Sequence, residues 1–144
     1  MPPTPRNDPF TGLSFRVELE SITAGAFSEC TGLVSEVEVI EYRTGSDPVT
    51  PRKLPGLHKY PNIVLKRGYT SDRQLWDWHK SVLDGQVQRK NGSIVLLSAS
   101  GQEVLRWNFH HGWPTKYEGP TLNAKGNDVA IETIEIAHEG LELA

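Results

Sequence analysis

Phe15, Val17 and Leu19 alternate with Arg16, Glu18 and Glu20, the two-residue period of a strand with one buried face. Val37 and Val39 alternate with Glu36, Glu38 and Ile40 in the same way. Further strands are predicted over residues 62–67, 86–90, 93–99, 103–109 and 129–138. Ser100-Gly101 predicts a hairpin between SIVLLSA and EVLRWNF, because glycine tolerates the positive φ of a tight turn. Between the first two strands, AGAFSECTG has little period and reads as an irregular connection with Phe27 tucked inward. In the last strand Val129 and Ile131 share one phase while Ile134 and Ile136 fall in the other, which predicts a β-bulge near Glu132 and Thr133.

One helix is predicted from about Asp72 to Asp84. Ser71 and Gln74 form an S-x-x-Q capping box, and Gly85 supplies the residue past the end. Leu75, Trp78, Val82 and Leu83 make its apolar stripe. Trp76 and Trp78 lie about 200° apart on a helix, which puts Trp76 at the stripe's margin or against a different partner surface.

The residues from Gly45 to Pro61, GSDPVTPRKLPGLHKYP, hold four of the ten prolines and show neither period. Structureless loops of this length inside a domain are functional or disordered. Leu54, Leu57 and Tyr60 are bulkier than a solvated linker needs, so the segment is read as an extended arm reaching outside the subunit. The whole chain, residues 1–144, is expected to form a single, mainly β domain with one helix.

Composition narrows the function. A formal net charge of −3 argues against a phosphate-backbone binder. The charge is unevenly spread: Leu13–Tyr42 carries one base, Arg16, against six acids, whereas Arg43–Lys90 carries ten bases and four acids, and the remainder is acidic again. Such segregation either pairs within the subunit or favours head-to-tail self-association. Cys30 is alone, which excludes an internal disulfide and a structural zinc site. The first residues have no apolar h-region, and no apolar run approaches the roughly 18 residues that span a bilayer. Neither a Sec signal nor direct membrane anchoring is expected, and synthesis in a reducing cytoplasm is the simplest reading.

Catalytic devices are absent from the sequence: there is no GxGxxG, GxxxxGK[ST], HExxH, GxSxG or EF-hand loop. His110 and His111 are adjacent in a predicted strand and point to opposite faces, which is poor geometry for a shared metal. Asp72, Asp77 and Asp84 read as helix solvation and dipole residues. Glu29 beside Cys30 disfavours a thiolate. Trp107 and Trp113 read as core or interface residues in preference to a stacking platform. No catalytic, cofactor-binding or metal residue is expected.

The succession DPFTGLSFRVELESITAGAFSECTGL, EVEVIEYRTG, RKLPGLHKYPNIVLKRGYTSDRQLWDW, RKNGSIVLLSASGQEVLRWNF and WPTKYEGPTLNAKGNDVAIETIEIAHEGLE resembles the tail tube proteins of contractile phage tails. It resembles still more closely the tube proteins of extracellular contractile injection systems. The likeness runs from Asp8 to Glu142, and RKLPGLHKYPNIVLKRG and the block opening at Trp113 are its most specific parts. Cys30 and His110-His111-Gly112 depart from the pattern. The resemblance implies a fold shared with the haemolysin-coregulated protein of type VI secretion, with two packed antiparallel sheets forming a small β-barrel flanked by one α-helix. It also implies hexameric rings stacked into a hollow tube inside a contractile sheath, with baseplate or cap proteins as partners and a cargo effector or DNA in the lumen. Assembly is then expected in the bacterial cytoplasm, as part of a phage tail or an injection particle, with no cofactor.

Within that frame the arm is expected to cross to a neighbouring subunit. Leu54, Leu57 and Tyr60 would be its apolar anchors, Arg52 and Lys53 would face acidic strands, and Tyr42 and Arg43 would stand at its base. Three alternatives stay open: a specialised ring next to the baseplate, a monomeric ligand-binding small β-barrel, and an enzyme.

Overall fold

The computed structural model describes residues 12–22, 27–46, 49–126 and 129–144. Residues Ala24–Ala26 of the irregular connection, Asp47 and Pro48 of the arm, and the opening of the first resembling segment lie outside the described residues. The strands are β1 (Ser14–Leu19), β2 (Glu29–Thr31), β3 (Glu36–Tyr42), β4 (Arg52–Lys59), β5 (Ile63–Gly68), β6 (Lys90–Leu97), β7 (Glu103–Glu118), β8 (Ile131–Ala137) and β9 (Gly140–Leu143). The single helix among the described residues is α1 (Gln74–Leu83).

Seven strands form one antiparallel sheet, ordered β1-β6-β7-β8-β5-β2 with β9 also on β7, while β3 and β4 form a separate two-stranded sheet. The 16-residue β7 belongs to two halves: Glu103–Gly112 pairs with β6, Trp107–His110 with β9, and Trp113–Glu118 with β8. Where β7 passes from one half to the other, His111 takes φ 55° and the register against β6 slips between Lys90 and Gly92. The His111 N–H donates to Asn91 Oδ1 at 3.1 Å across that irregularity. Gly92 and Gly112 sit against the two sides of the buried Phe109 ring, and a Cβ at either would lie 2.5 or 2.7 Å from a ring carbon. The bend therefore needs glycine at both positions, since core packing leaves no room for a methyl group.

The two halves close over one core. Val17, Leu19, Ile94 and Phe109 come from one half, Ile63, Leu65, Ile134 and Ile136 from the other, and Phe27, Leu75 and Trp78 fill the flank. Strands β1 and β2 end the strand order without pairing with each other. The mainly β class with a flanking helix and packed antiparallel sheets is thus as expected, and among the described residues β1, β2 and β9 each pair with a single strand of this sheet.

Several boundaries differ from the sequence expectation. Helix α1 begins at Gln74, and the side chain at its start is Asp72, whose Oδ1 accepts the Gln74 N–H at 2.9 Å; the Ser71 capping box does not form. The C-terminal end closes as anticipated, with Gly85 at φ 80° and N–H groups of Gly85 and Gln86 donating to Val82 and Ser81 carbonyls. Residues 86–89 form no strand, because Gln86 is committed to that closure and the Gln88 carbonyl accepts the Trp78 Nε1–H at 2.8 Å.

The bulge near Glu132 is also absent. Strand β8 pairs with β5 in unbroken register from Ile63↔Ile136 to Gly68↔Ile131. Glu132, 3% exposed, occupies the inward phase with Ile134 and Ile136, while Val129 and Ile131 face outward. A buried charge in a core position had mimicked a change of phase. Finally, Arg52–Lys59 of the supposed structureless arm is strand β4.

Candidate assembly surface

Strand β4 was hidden by Pro55 and Gly56. Proline removes a ladder donor and belongs on edge strands or at bulges, and the β3–β4 pairing slips between Val37 and Val39, opposite this dipeptide. On either side of the slip the ladder is regular, with Glu36↔Lys59 and Val37↔His58 before it and Ile40↔Leu54, Glu41↔Lys53 and Tyr42↔Arg52 after it.

Every residue of β3 is exposed, and so is every residue of β4 except Gly56. Val39 is 59% exposed, Ile40 49%, Tyr42 50%, Leu54 46% and Leu57 74%. An isolated two-stranded ribbon is marginally stable in water, and this one is apolar on both faces. By alternation Ile40, Tyr42 and Leu54 share one face, Val37, Val39 and Pro55 the other. Contiguous apolar surface of this kind marks an interaction site.

Of the residues expected in the interface, Tyr42 and Leu54 lie on the same face beside Ile40, Arg52 stands opposite Tyr42, and Leu57 projects from β4. Arg43 is exposed just past β3. Lys53 stands opposite Glu41 of its own ribbon. Tyr60 packs at home, its ring 5.7 Å from that of His138. Val37, Val39 and Ile40 belong to the same surface but read in the sequence as a half-buried strand. The signal that distinguishes them is Ile40 among the glutamates, which makes both phases of β3 apolar.

The charge segregation along the chain is partly satisfied inside the subunit. Lys66 of the basic middle meets Glu29 at 3.4 Å, and Arg89 meets Glu139 at 3.6 Å. On the outer face of β1, β6 and β7, Arg106 bonds Glu18 at 3.1 Å and Glu103 at 2.7 Å, and Arg16 bonds Glu18 at 3.2 Å. These guanidinium contacts, Arg106 first, hold the Glu18 and Glu103 carboxyls below their ordinary range. Val95, in register between Arg16 and Arg106, is fully buried beneath them.

A second polar cluster is internal. The Arg67 Nε–H donates to Glu132, the Tyr117 hydroxyl donates to the other Glu132 oxygen at 2.6 Å, and Asp72 approaches Arg67 at 3.7 Å. The Arg67 guanidinium also faces the Phe27 ring at 5.5 Å. Burial, followed by the Glu132 hydrogen bond, pushes the Tyr117 hydroxyl well above its usual range. The cluster ties β5, β7 and β8 to the start of α1, while Trp76, the outer tryptophan of α1, packs edge-on against Tyr117 at 5.2 Å.

No catalytic constellation emerges from these contacts. Burial pushes the Cys30 thiol up to about 11, so it stays protonated at neutral pH. No group of three or more His, Cys, Asp or Glu side chains is placed to hold a metal among the described residues. Trp107 packs against the core, as expected. No helix among the described residues is long and apolar enough to cross a membrane.

Comparison with known proteins agrees with this geometry. A chain from the PVC sheath-tube complex, an extracellular contractile injection system in its extended state, is 27% identical with a TM-score of 0.85, over 96% of this chain and 93% of that one. A chain from the tube-terminating cap of the anti-feeding prophage is 25% identical with a TM-score of 0.88, over 99% and 95%. Hcp1 from Flavobacterium johnsoniae shares the fold at 12% identity, with a TM-score of 0.60 over 90% and 94%. No curated protein matches the sequence. The model of the family described as T4-like virus tail tube protein gp19 matches residues 11–142, and the chain belongs to that family of structural tail tube proteins.

Proposed function

We propose that the chain is the repeating subunit of the inner tube of a contractile tail or injection system. Copies close into hexameric rings, the rings stack into a hollow tube, and a contractile sheath around the tube drives it through a target envelope with its cargo. The subunit works by assembly and not by catalysis. The observation that carries this reading is the β3–β4 ribbon, apolar on both faces and exposed almost throughout. A second copy of the chain supplies the cover that such a ribbon lacks in a monomer. Ring contacts are heterologous and close by rotation, whereas ring-on-ring contacts continue without limit. The edges of β1, β2 and β9, each paired with one strand among the described residues, suit the first kind, because an edge strand can pair with a neighbouring subunit.

Membership in the tail tube family and the likeness to chains from sheath-tube and cap complexes support the sheath and cap as partners. Against the monomeric ligand-binding alternative stand Phe109, Ile63, Leu65, Ile134 and Ile136, whose large apolar side chains are fully buried in the interior. Size-exclusion chromatography with light scattering, followed by negative-stain microscopy of the purified full chain, tests the proposal. Rings or tubes of uniform diameter are expected, and a monodisperse monomer at high concentration would sink it.

A further inference from the structure

A cleft of about 230 Å³ opens between the end of β5, the start of α1 and the far end of β7, lined by Tyr69, Asp72, Arg73, Trp76 and Tyr117. Three of these five residues are aromatic. The Trp76 and Tyr117 rings meet edge-on at 5.2 Å, and Tyr69, just past β5, has about half its surface in solvent. The fold sets these walls from behind: the Tyr117 hydroxyl is held by buried Glu132, and Asp72 by the Gln74 N–H and by Arg67. The Asp72 side chain is still 37% exposed. Aromatic-lined grooves dock proline-rich segments, whose restricted backbone lowers the entropy cost of binding.

The chain carries such a segment itself. Residues 2–6 read Pro-Pro-Thr-Pro-Arg, a P-x-x-P spacing followed at once by a base, and they lie outside the described residues. We propose that the cleft receives residues 2–6 of a second copy, with the prolines against Trp76, Tyr117 and Tyr69 and with Arg6 toward Asp72. The signs match beyond that pair, since Asp8, two residues after Arg6, is opposite in charge to Arg73. Chain geometry favours a second copy over the same one. Strand β1 begins beside the start of β7, through Ser14↔Leu97 and Leu97↔Glu103, whereas Tyr117 stands near the far end of that 16-residue strand. The residues ahead of Gly12 span at most about 40 Å when extended, long enough to reach a neighbour. The docking rests on the tube reading for the presence of that neighbour, while the affinity of the cleft for the segment does not.

The test titrates a full-length receiving chain carrying Pro2→Ser, Pro3→Ser, Pro5→Ser and Arg6→Ser, which keeps the cleft but not the segment. A dye-labelled peptide of residues 1–10 is added and its fluorescence polarisation read. Saturable binding is expected, at least about tenfold tighter than that of a peptide with the same four residues as serine. Adding Trp76→Ala or Tyr69→Ala to the receiving chain should lose a similar factor, and Tyr69, at 53% exposed, can be truncated without opening the core. Equal affinity for the two peptides, or for receiving chains with and without Tyr69, would overturn the docking. Light scattering on the same receiving chain reads assembly separately. An assembled chain that ignores the peptide sinks the docking and leaves the tube, whereas a monomer that binds it sinks the tube and leaves the cleft.

Discussion

Replacing Ile40, Tyr42 and Leu54 together by serine separates assembly from folding. The three share one face of the β3–β4 ribbon and are 49%, 50% and 46% exposed, so about half of each side chain is open to a partner. Full burial of a side chain of this size contributes about 1.5–3 kcal/mol, and covering the open half contributes about 1 kcal/mol each. Losing all three removes about 3 kcal/mol from the contact, which raises the concentration needed for assembly on the order of 100-fold. The hydrophobic core lies in the other sheet and contains none of the three. Only cross-strand pairing inside the ribbon is lost from the subunit itself, about 0.2–1 kcal/mol per pair. Sedimentation across a concentration series, alongside thermal melts, is the assay. Assembly at the wild-type threshold by a folded variant would refute the argument, because that face would then contact nothing. Collapse of the subunit fold would refute it equally, because the ribbon would then be part of the core's support.

Other outcomes follow from the interior and the charged face. Gly32 has φ 91°, and a Cβ there would lie 2.1 Å from the backbone oxygen of Asn62, so Gly32→Ala should destabilise by about 3 kcal/mol or more in urea melts; an unchanged midpoint would contradict the close approach. Tyr117→Phe withdraws a donor from buried Glu132 and should cost about 1–3 kcal/mol. Tyr117 is held protonated in the fold, whereas in the unfolded chain it ionises near pH 10. Wild-type stability should therefore fall as pH rises above about 10 more steeply than that of Tyr117→Phe, and equal slopes would remove the basis for the shift. Glu18 and Glu103 are held below 4.5, so their stabilising contribution is present above that value and is lost as pH falls. Arg106→Gln should flatten this acid limb, weakly at these exposed positions and less still in high salt; identical acid limbs would contradict the pairing.

The architecture was legible wherever a buried face wrote a clean period. Phe15, Val17 and Leu19 announced β1, and Leu75 and Trp78 are the buried residues of α1. Legibility failed where a residue broke the local rule for a tertiary reason. Glu132 reads as a surface residue because its partner, Arg67, is distant in sequence, and the resulting phase conflict looked like a bulge. Asp72 displaced Ser71 at the helix start, although both residues are suited to the role. Pro55 and Gly56 concealed β4 because a slipped, exposed ladder needs neither alternation nor a full set of donors. The three-residue β2 and the four-residue β9 are held by their partners β5 and β7 and leave no periodic signature. At the proposed assembly surface Leu54 and Leu57 were visible as residues too bulky for a linker, whereas Tyr60 packs against His138 of its own chain. Their partner strand β3 was read correctly as a strand, but its two exposed faces could be known only once nothing in the fold covered them.

A cryo-electron microscopy reconstruction of the assembled full chain addresses the central claim most directly. The account predicts hexameric rings stacked around an open lumen, with Ile40, Tyr42 and Leu54 of each β3–β4 ribbon buried against a neighbouring subunit. A particle in which both faces of that ribbon remain in solvent would contradict it.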